Sequence, residues 1–166
     1  SCFPEEVFQK ERQEARSLIR KDIGFHARGF DIDKAAVELS RENAKKAHVE
    51  DLIEFRRQDV RRLILPKNDC ILLCNPPYGE RLMDRKAAEE IYEVLGQRTP
   101  SAPGHSYYFI TSHEEFETFY GRRADKRRKL YNGMLECQFY MYYKNHLGGD
   151  WNGKSNKSAG PGRMHA

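Results

Sequence analysis

Residues 70–78, CILLCNPPY, decide the fold. Cys70–Cys74 is a continuous apolar run bounded by Asp69 and Asn75. A run of this length between polar residues predicts a strand buried on both faces, as in a parallel sheet. Asn75-Pro76-Pro77-Tyr78 follows at once. Two prolines in succession neither extend a strand nor start a helix easily, so a rigid loop is expected at the strand's carboxyl end. That loop presents a side-chain amide at Asn75, a free backbone carbonyl at Pro76 and an aromatic face at Tyr78. The set suits a planar group that carries an NH2. The Asn75 side-chain oxygen and the Pro76 carbonyl can each accept one N–H, while Tyr78 stacks on the ring. Two acceptors pull the amine hydrogens out of plane and aim the nitrogen lone pair at an electrophile. Catalysis of this kind is mostly positioning and electrostatics. The plainer reading is a proline-rich turn capping a strand.

Working outward, the flanking segments alternate between strand and helix signals. Residues 3–21 are charged, with apolar Val7, Phe8, Leu18 and Ile19, and suit a helix lying on something else. His26–Asp31 reads as a short strand. Asp33 is a good N-cap for a helix over Lys34–His48, with Val37, Ala44 and Ala47 on one side. Leu52–Arg57 alternates as a strand does. After the loop, Arg85–Leu95 reads as a helix with Ala87, Ile91 and Leu95 on one face and Gly96 as its stop. Ser106–Thr111 is the next strand. Ser112 and Glu115 form a capping-box pattern for a helix over His113–Tyr120. Asn132-Gly133, between Lys129–Tyr131 and Met134–Tyr143, predicts a β-hairpin. The order is β-α-β, β-α, β-α and a closing hairpin. Alternation of this kind predicts a mostly parallel sheet with helices on both faces, whose ligands bind beyond the carboxyl ends of the strands.

Composition narrows the function classes. The chain has 166 residues and a formal net charge of +4, with a mean hydropathy of -0.86. No apolar run approaches the roughly 20 residues of a membrane span, and no succession of charged, apolar and small residues at the start reads as a signal peptide. Basic residues cluster, in Arg122–Lys129 (RRADKRRK) and in Arg56, Arg57, Arg61 and Arg62. Such clusters suit a polyanion, or else a solvated face. Cys2, Cys70, Cys74 and Cys137 form no CxxC pair, so neither a disulfide framework nor a zinc site is expected. The six histidines show no metal-ligand spacing and read as surface or structural residues. Cys74 adjoins the loop, but a strand-end thiol reads as packing rather than as a nucleophile.

NPPY after the fourth strand of such a sheet resembles motif IV of class I S-adenosylmethionine-dependent amino-methyltransferases. The longer run NPPYGERL (Asn75–Leu82) is similar to the THUMP-associated 23S rRNA guanine-N2 methyltransferases, as are GFDID (Gly29–Asp33), FITSHEEFE (Phe109–Glu117) and KRRKLYNG (Lys126–Gly133). The resemblance extends over about residues 1–143. It implies a class I methyltransferase, Rossmann-like α/β sheet with a C-terminal antiparallel hairpin. It implies S-adenosylmethionine as cofactor, ribosomal RNA as partner, a cytoplasmic location and no metal. Asp31, with Ile32 beside it, would hold the cofactor ribose. Asp59 and Val60 would flank its adenine. Asn75, Pro76, Pro77 and Tyr78 would take the target base, and Arg81, Lys126, Arg127, Arg128 and Lys129 would contact RNA. NPPY alone also fits DNA adenine or protein glutamine methylation, and a non-catalytic RNA-binding module remains an alternative.

The family holds the methionine part of the cofactor on a glycine-rich turn after its first strand. No GxGxG-like stretch after a strand occurs here; before the loop stand only Gly24 and Gly29. The family strand order is 3-2-1-4-5-7-6, so the deficit falls on the central strand. The expected organisation is the end of a helical insertion over 1–22, a partial methyltransferase domain over 23–145 and a flexible tail over 146–166. The non-Met start then reads as a cut through a larger protein. The first strand and a THUMP domain would come from the missing N-terminal part, or the strand from another chain. Residues 1–166 alone are accordingly expected to bind S-adenosylmethionine poorly and to be weakly stable. Calorimetric titration checks this, and micromolar binding would refute it.

Overall fold

The computed structural model describes residues 4–20, 24–79 and 85–143. The expected tail, Glu80 and Arg81 lie outside the described residues. The chain forms two compact units, residues 1–60 and 61–166.

The first unit contains α1 (Glu5–Ser17), β1 (Ala27–Asp31), α2 (Lys34–Lys46) and β2 (Ile53–Arg57). α1 is exposed along its whole length. Asp33 caps α2, its side chain accepting the Ala35 N–H. β1 and β2 are parallel, Ala27 opposite Ile53 and Asp31 opposite Arg57, joined by α2 as a β-α-β crossover. Val37 and Ala44 are buried on α2 as expected, whereas Ala47 is its exposed C-cap.

The second unit contains β3 (Cys70–Cys74), α3 (Arg85–Arg98), β4 (His105–Thr111), α4 (Phe116–Tyr120), β5 (Lys126–Asn132) and β6 (Leu135–Tyr142). Its sheet order is β3-β4-β6-β5, parallel at β3–β4 and antiparallel beyond. The two sheets thus reproduce 3-2 and 4-5-7-6 of the family order. Among the described residues no strand pairs with the second edge of β1 or of β3.

The core of this unit is aromatic. Tyr107 and Phe109 of β4 lie opposite Tyr142 and Tyr140 of β6 on one sheet face. Phe116 of α4 packs against Phe109, Tyr140, Tyr120 and Tyr92 at centroid distances of 4.7 to 5.4 Å. Buried tyrosine hydroxyls need partners. Tyr107 donates to the Pro100 carbonyl, and Tyr120 pairs with Thr99 Oγ1. Arg122 sits over the rings of Tyr107, Tyr120 and Tyr142 and donates to the Thr99 carbonyl and Tyr120 Oη. The first arginine of the basic run is therefore part of the packing and is taken up by protein partners.

Four expectations are corrected. β3 is not buried on both faces: Ile71 is 77% and Leu73 71% exposed, while Cys70, Leu72 and Cys74 point toward the aromatic face. Apolar composition cannot tell a strand covered on both faces from one whose second face is open. Gly96 does not stop α3, which runs on to Arg98. Instead, a Cβ at Gly96 would lie 2.1 Å from the Tyr120 carbonyl oxygen, so glycine permits α3 and the end of α4 to meet backbone to backbone. α4 starts three residues later than expected, with no side-chain cap, because Thr111 Oγ1 and His113 Nδ1 accept the N–H groups of His113 and Glu115 in a preceding turn. The hairpin forms one residue later than Asn132-Gly133: Asn132 pairs with Leu135, and Gly133-Met134 make the turn. Gly133 has φ 64° and Met134 is not left-handed, as a turn with glycine first requires.

The α3–α4 contact yields a test. Gly96→Ala must push the two backbones apart, at a cost of about 1–3 kcal/mol for an overpacked site. Urea unfolding is expected to give a free energy lowered by that amount, read as a lower midpoint at unchanged slope; an unchanged midpoint would show that the backbones do not meet there.

Candidate active site

The proline-rich loop starts where β3 ends. Cys74 is level with Phe109, so the loop leaves the sheet beside the carboxyl end of β4. Asn75 is exposed, Pro76 is buried, and Pro77, Tyr78 and Gly79 are half-buried. Tyr78 Oη donates to Asn75 Oδ1 at 2.6 Å. The expectation had the Asn75 oxygen and the Tyr78 ring acting separately. They are joined, and the bond turns the Asn75 amide so that its oxygen faces Tyr78. A carbonyl oxygen accepts two hydrogen bonds, so one acceptor position stays available for a second N–H. Gly79 closes the loop at φ 84°, and a Cβ there would lie 3.0 Å from Arg85 Cα. Sequence reading missed this requirement, although the glycine directly after NPPY was its signal.

A layer of hydrogen bonds lies under the loop. Tyr92 of α3 donates to the Pro77 carbonyl at 2.6 Å and lies 3.2 Å from Thr111 Oγ1. His113 Nε2 is 3.3 Å from Glu89 Oε1, and Arg85 binds both Glu89 and Glu115. His105 and His113 are both buried and engaged in protein contacts, as structural histidines are. Among the described residues no cluster could hold a metal ion.

In the first unit, the carboxyl ends of β1 and β2 lie side by side. Asp31 Oδ1 accepts the Asp33 N–H at 2.8 Å, leaving Oδ2 and a second lone pair on Oδ1. The Asp31 carbonyl accepts the Gln58 N–H, and Arg57 Nε donates to the Ile32 carbonyl. These two bonds bring Asp31 and Ile32 beside the segment that continues to Asp59 and Val60. Ile32 is 60% exposed, an apolar surface next to a carboxylate. Val60 opens a 3-10 turn with Arg61 and Arg62. Of the second basic knot, Arg56 binds Glu54 and Arg57 binds backbone.

The basic residues of β5 divide between two faces. Arg127 and Lys129 share one face and pair with Glu117 and Glu136; Lys129 also lies over Tyr131. Lys126 and Arg128 project from the other face, opposite Met141 and Phe139, and both are exposed. A run contiguous in sequence is thus not one patch in space, because strand side chains alternate.

The chain matches the RMKL-like methyltransferase domain over residues 2–141. It belongs to that family. It is 36% identical over 138 residues to a Bacillus subtilis protein named "Putative RNA methyltransferase YpsC", covering 83% of this chain and 36% of that one. It is 36% identical over 143 residues to the ribosomal RNA large subunit methyltransferase K/L of Aliivibrio salmonicida, covering 82% of this chain and 20% of that one. The RMKL-like domain here thus spans about a third or less of these relatives. Among solved structures, SMU.472, described as "a putative methyltransferase complexed with SAH", superposes with a TM-score of 0.78 at 34% identity, over 89% of this chain and 39% of that one. A Listeria monocytogenes protein described as "a predicted N6-adenine-specific DNA methylase" superposes at 0.72 and 37% identity, over 84% and 36%. The class I methyltransferase fold of the RMKL-like domain is therefore shared with these neighbours.

Burial pushes the Cys74 thiol up, to about 11. A thiol held neutral is a poor nucleophile. Cys74 is expected to resist iodoacetamide at pH 8 in the folded protein and to react once unfolded in urea, as read by peptide mass spectrometry. Rapid native labelling would reopen a nucleophilic role.

Proposed function

We propose that this chain is part of a longer, cytoplasmic, S-adenosylmethionine-dependent enzyme that methylates the exocyclic N2 of a guanine in 23S rRNA. The observation that carries the reading is the Tyr78–Asn75 hydrogen bond at the end of β3. It sets an amide oxygen, a neighbouring proline carbonyl and an aromatic ring in one short loop, which is the equipment for holding an aromatic amine.

The residues at the ends of β1 and β2 fit the nucleoside half of the cofactor. Asp31 keeps carboxylate lone pairs for ribose hydroxyls, Ile32 offers an apolar cover, and Asp59 and Val60 come just after the end of the neighbouring strand. When bound, S-adenosylmethionine supplies an electrophilic methyl. The chain's own residues do the rest. Asn75 Oδ1 and the Pro76 carbonyl accept the two amine hydrogens, and the Tyr78 ring supports the base plane. Because the amine nitrogen gains positive charge as its new bond forms, acceptors fixed on its hydrogens favour the transition state over the ground state. Lys126 and Arg128, on the face of β5 away from the ion pairs, are the cations suited to phosphate; Arg127 and Lys129 would have to exchange their carboxylate partners to join them.

Ribosomal RNA is preferred as substrate because the curated relatives are named RNA or ribosomal RNA methyltransferases. Adenine in DNA is the second reading, favoured by the name of the Listeria neighbour. In the whole protein, Asn75→Ala is expected to lower methyl transfer by about 10²–10³-fold, the loss typical for one preorganised partner. Cofactor binding should stay intact. Nucleoside analysis of the product separates the readings: N2-methylguanosine supports the proposal, and N6-methyladenine in DNA replaces it. Normal turnover by the Asn75 variant would sink both.

A further inference from the structure

We propose that Tyr92 is a positioning residue for methyl transfer: its hydroxyl anchors the Asn75–Tyr78 loop through the Pro77 carbonyl. The inference rests on the reading of that loop as the base-holding site.

Pro76 and Pro77 have no N–H, so the loop at these positions can be tied to the body of the protein only through its carbonyls. In the proposed reaction the Pro76 carbonyl accepts a substrate hydrogen. The Pro77 carbonyl is the one left for an anchor, and Tyr92 donates to it at 2.6 Å. Tyr92 is 0% exposed, its ring edge-on to Phe116 at 5.0 Å and to His113 at 5.3 Å. Those ring contacts would serve a phenylalanine equally well, so the hydroxyl has a separate task.

The proton directions in this layer are fixed by counting. Tyr92 has one hydroxyl proton, and it goes to Pro77. At the 3.2 Å contact Tyr92 must therefore accept, so Thr111 Oγ1 donates. Thr111 Oγ1 in turn accepts the His113 N–H at 3.1 Å. The result is a one-way chain from the β4 terminus through Thr111 and Tyr92 to the loop, in which each bond polarises the next. Burial raises the Tyr92 pKa, so the hydroxyl remains a donor through the neutral range. Residues that hold a site from beneath matter because small displacements of the reacting groups are costly.

The test uses the whole protein. Tyr92→Phe keeps the ring and removes the donor. The expected result is a fall in kcat of about 10- to 100-fold, the scale of a displacement near 1 Å, with cofactor affinity and thermal midpoint close to wild type. Thr111→Val removes the donor to Tyr92 and should give a smaller fall; Thr111→Ser keeps it and should restore the rate. Wild-type kcat in Tyr92→Phe overturns the proposal. So does a loss of rate that vanishes at a temperature where variant and wild type are equally folded, because that marks a stability effect alone. Asn75→Ala, assayed alongside, separates the two layers of inference. If it is inactive while Tyr92→Phe is normal, only the anchor is wrong. If it is fully active, the reading of the loop is wrong whatever Tyr92 does.

Discussion

The parallel pairing of β3 with β4 is the constraint from which the geometry of the Asn75–Tyr78 loop follows. Five rungs, from Cys70–His105 to Cys74–Phe109, fix where β3 ends. Asn75 leaves the sheet as β4 nears Thr111. A parallel pair needs a crossover, and α3 supplies it. That crossover returns Tyr92 beneath the loop, where the hydroxyl reaches both Pro77 and Thr111. Because β4 is also held by β6, a slip of one residue in this register would turn Cys70, Leu72 and Cys74 away from the aromatic face and move the loop off its support.

Much of this was legible in the sequence where local chemistry and the final fold agree. The β-α alternation, the Asp33 cap and the loop after CILLC all depend on residues within a few positions of one another. The misses share a cause of a different kind. Gly96 reads locally as a helix stop, yet it is kept by the carbonyl of Tyr120, 24 residues away. Ser112 and Glu115 match a capping pattern, but His113 and Thr111 satisfy the nearby N–H groups instead. Burial of β3 could not be read from its composition, since an open apolar face and a covered one have the same letters.

The site was legible in part. Asn75, Pro76, Pro77 and Tyr78 come together because they are consecutive, and Asp31 and Ile32 meet the start of the 58–60 segment because β1 and β2 are parallel. The basic stretch was harder. Arg122 is held by three tyrosines, and β5 sends Lys126 and Arg128 one way and Arg127 and Lys129 the other. Charge is counted along the chain, but a phosphate meets a face. The chain order also separates two kinds of chemistry. The residues proposed to hold the cofactor ribose lie in residues 1–60, and those proposed to accept the amine hydrogens lie in residues 61–166.

Pro76 and Pro77 have a consequence unrelated to substrate. β3 offers an unpaired edge among the described residues, with Ile71 and Leu73 exposed beside it. Edges of this kind recruit strands from other chains. Two prolines remove two successive N–H donors from the continuation of the edge, and proline cannot take part in a central ladder. The adhesive length of β3 is thereby limited to five residues, Cys70–Cys74. The loop proposed to hold the base thus also sets where the pairing edge of β3 stops.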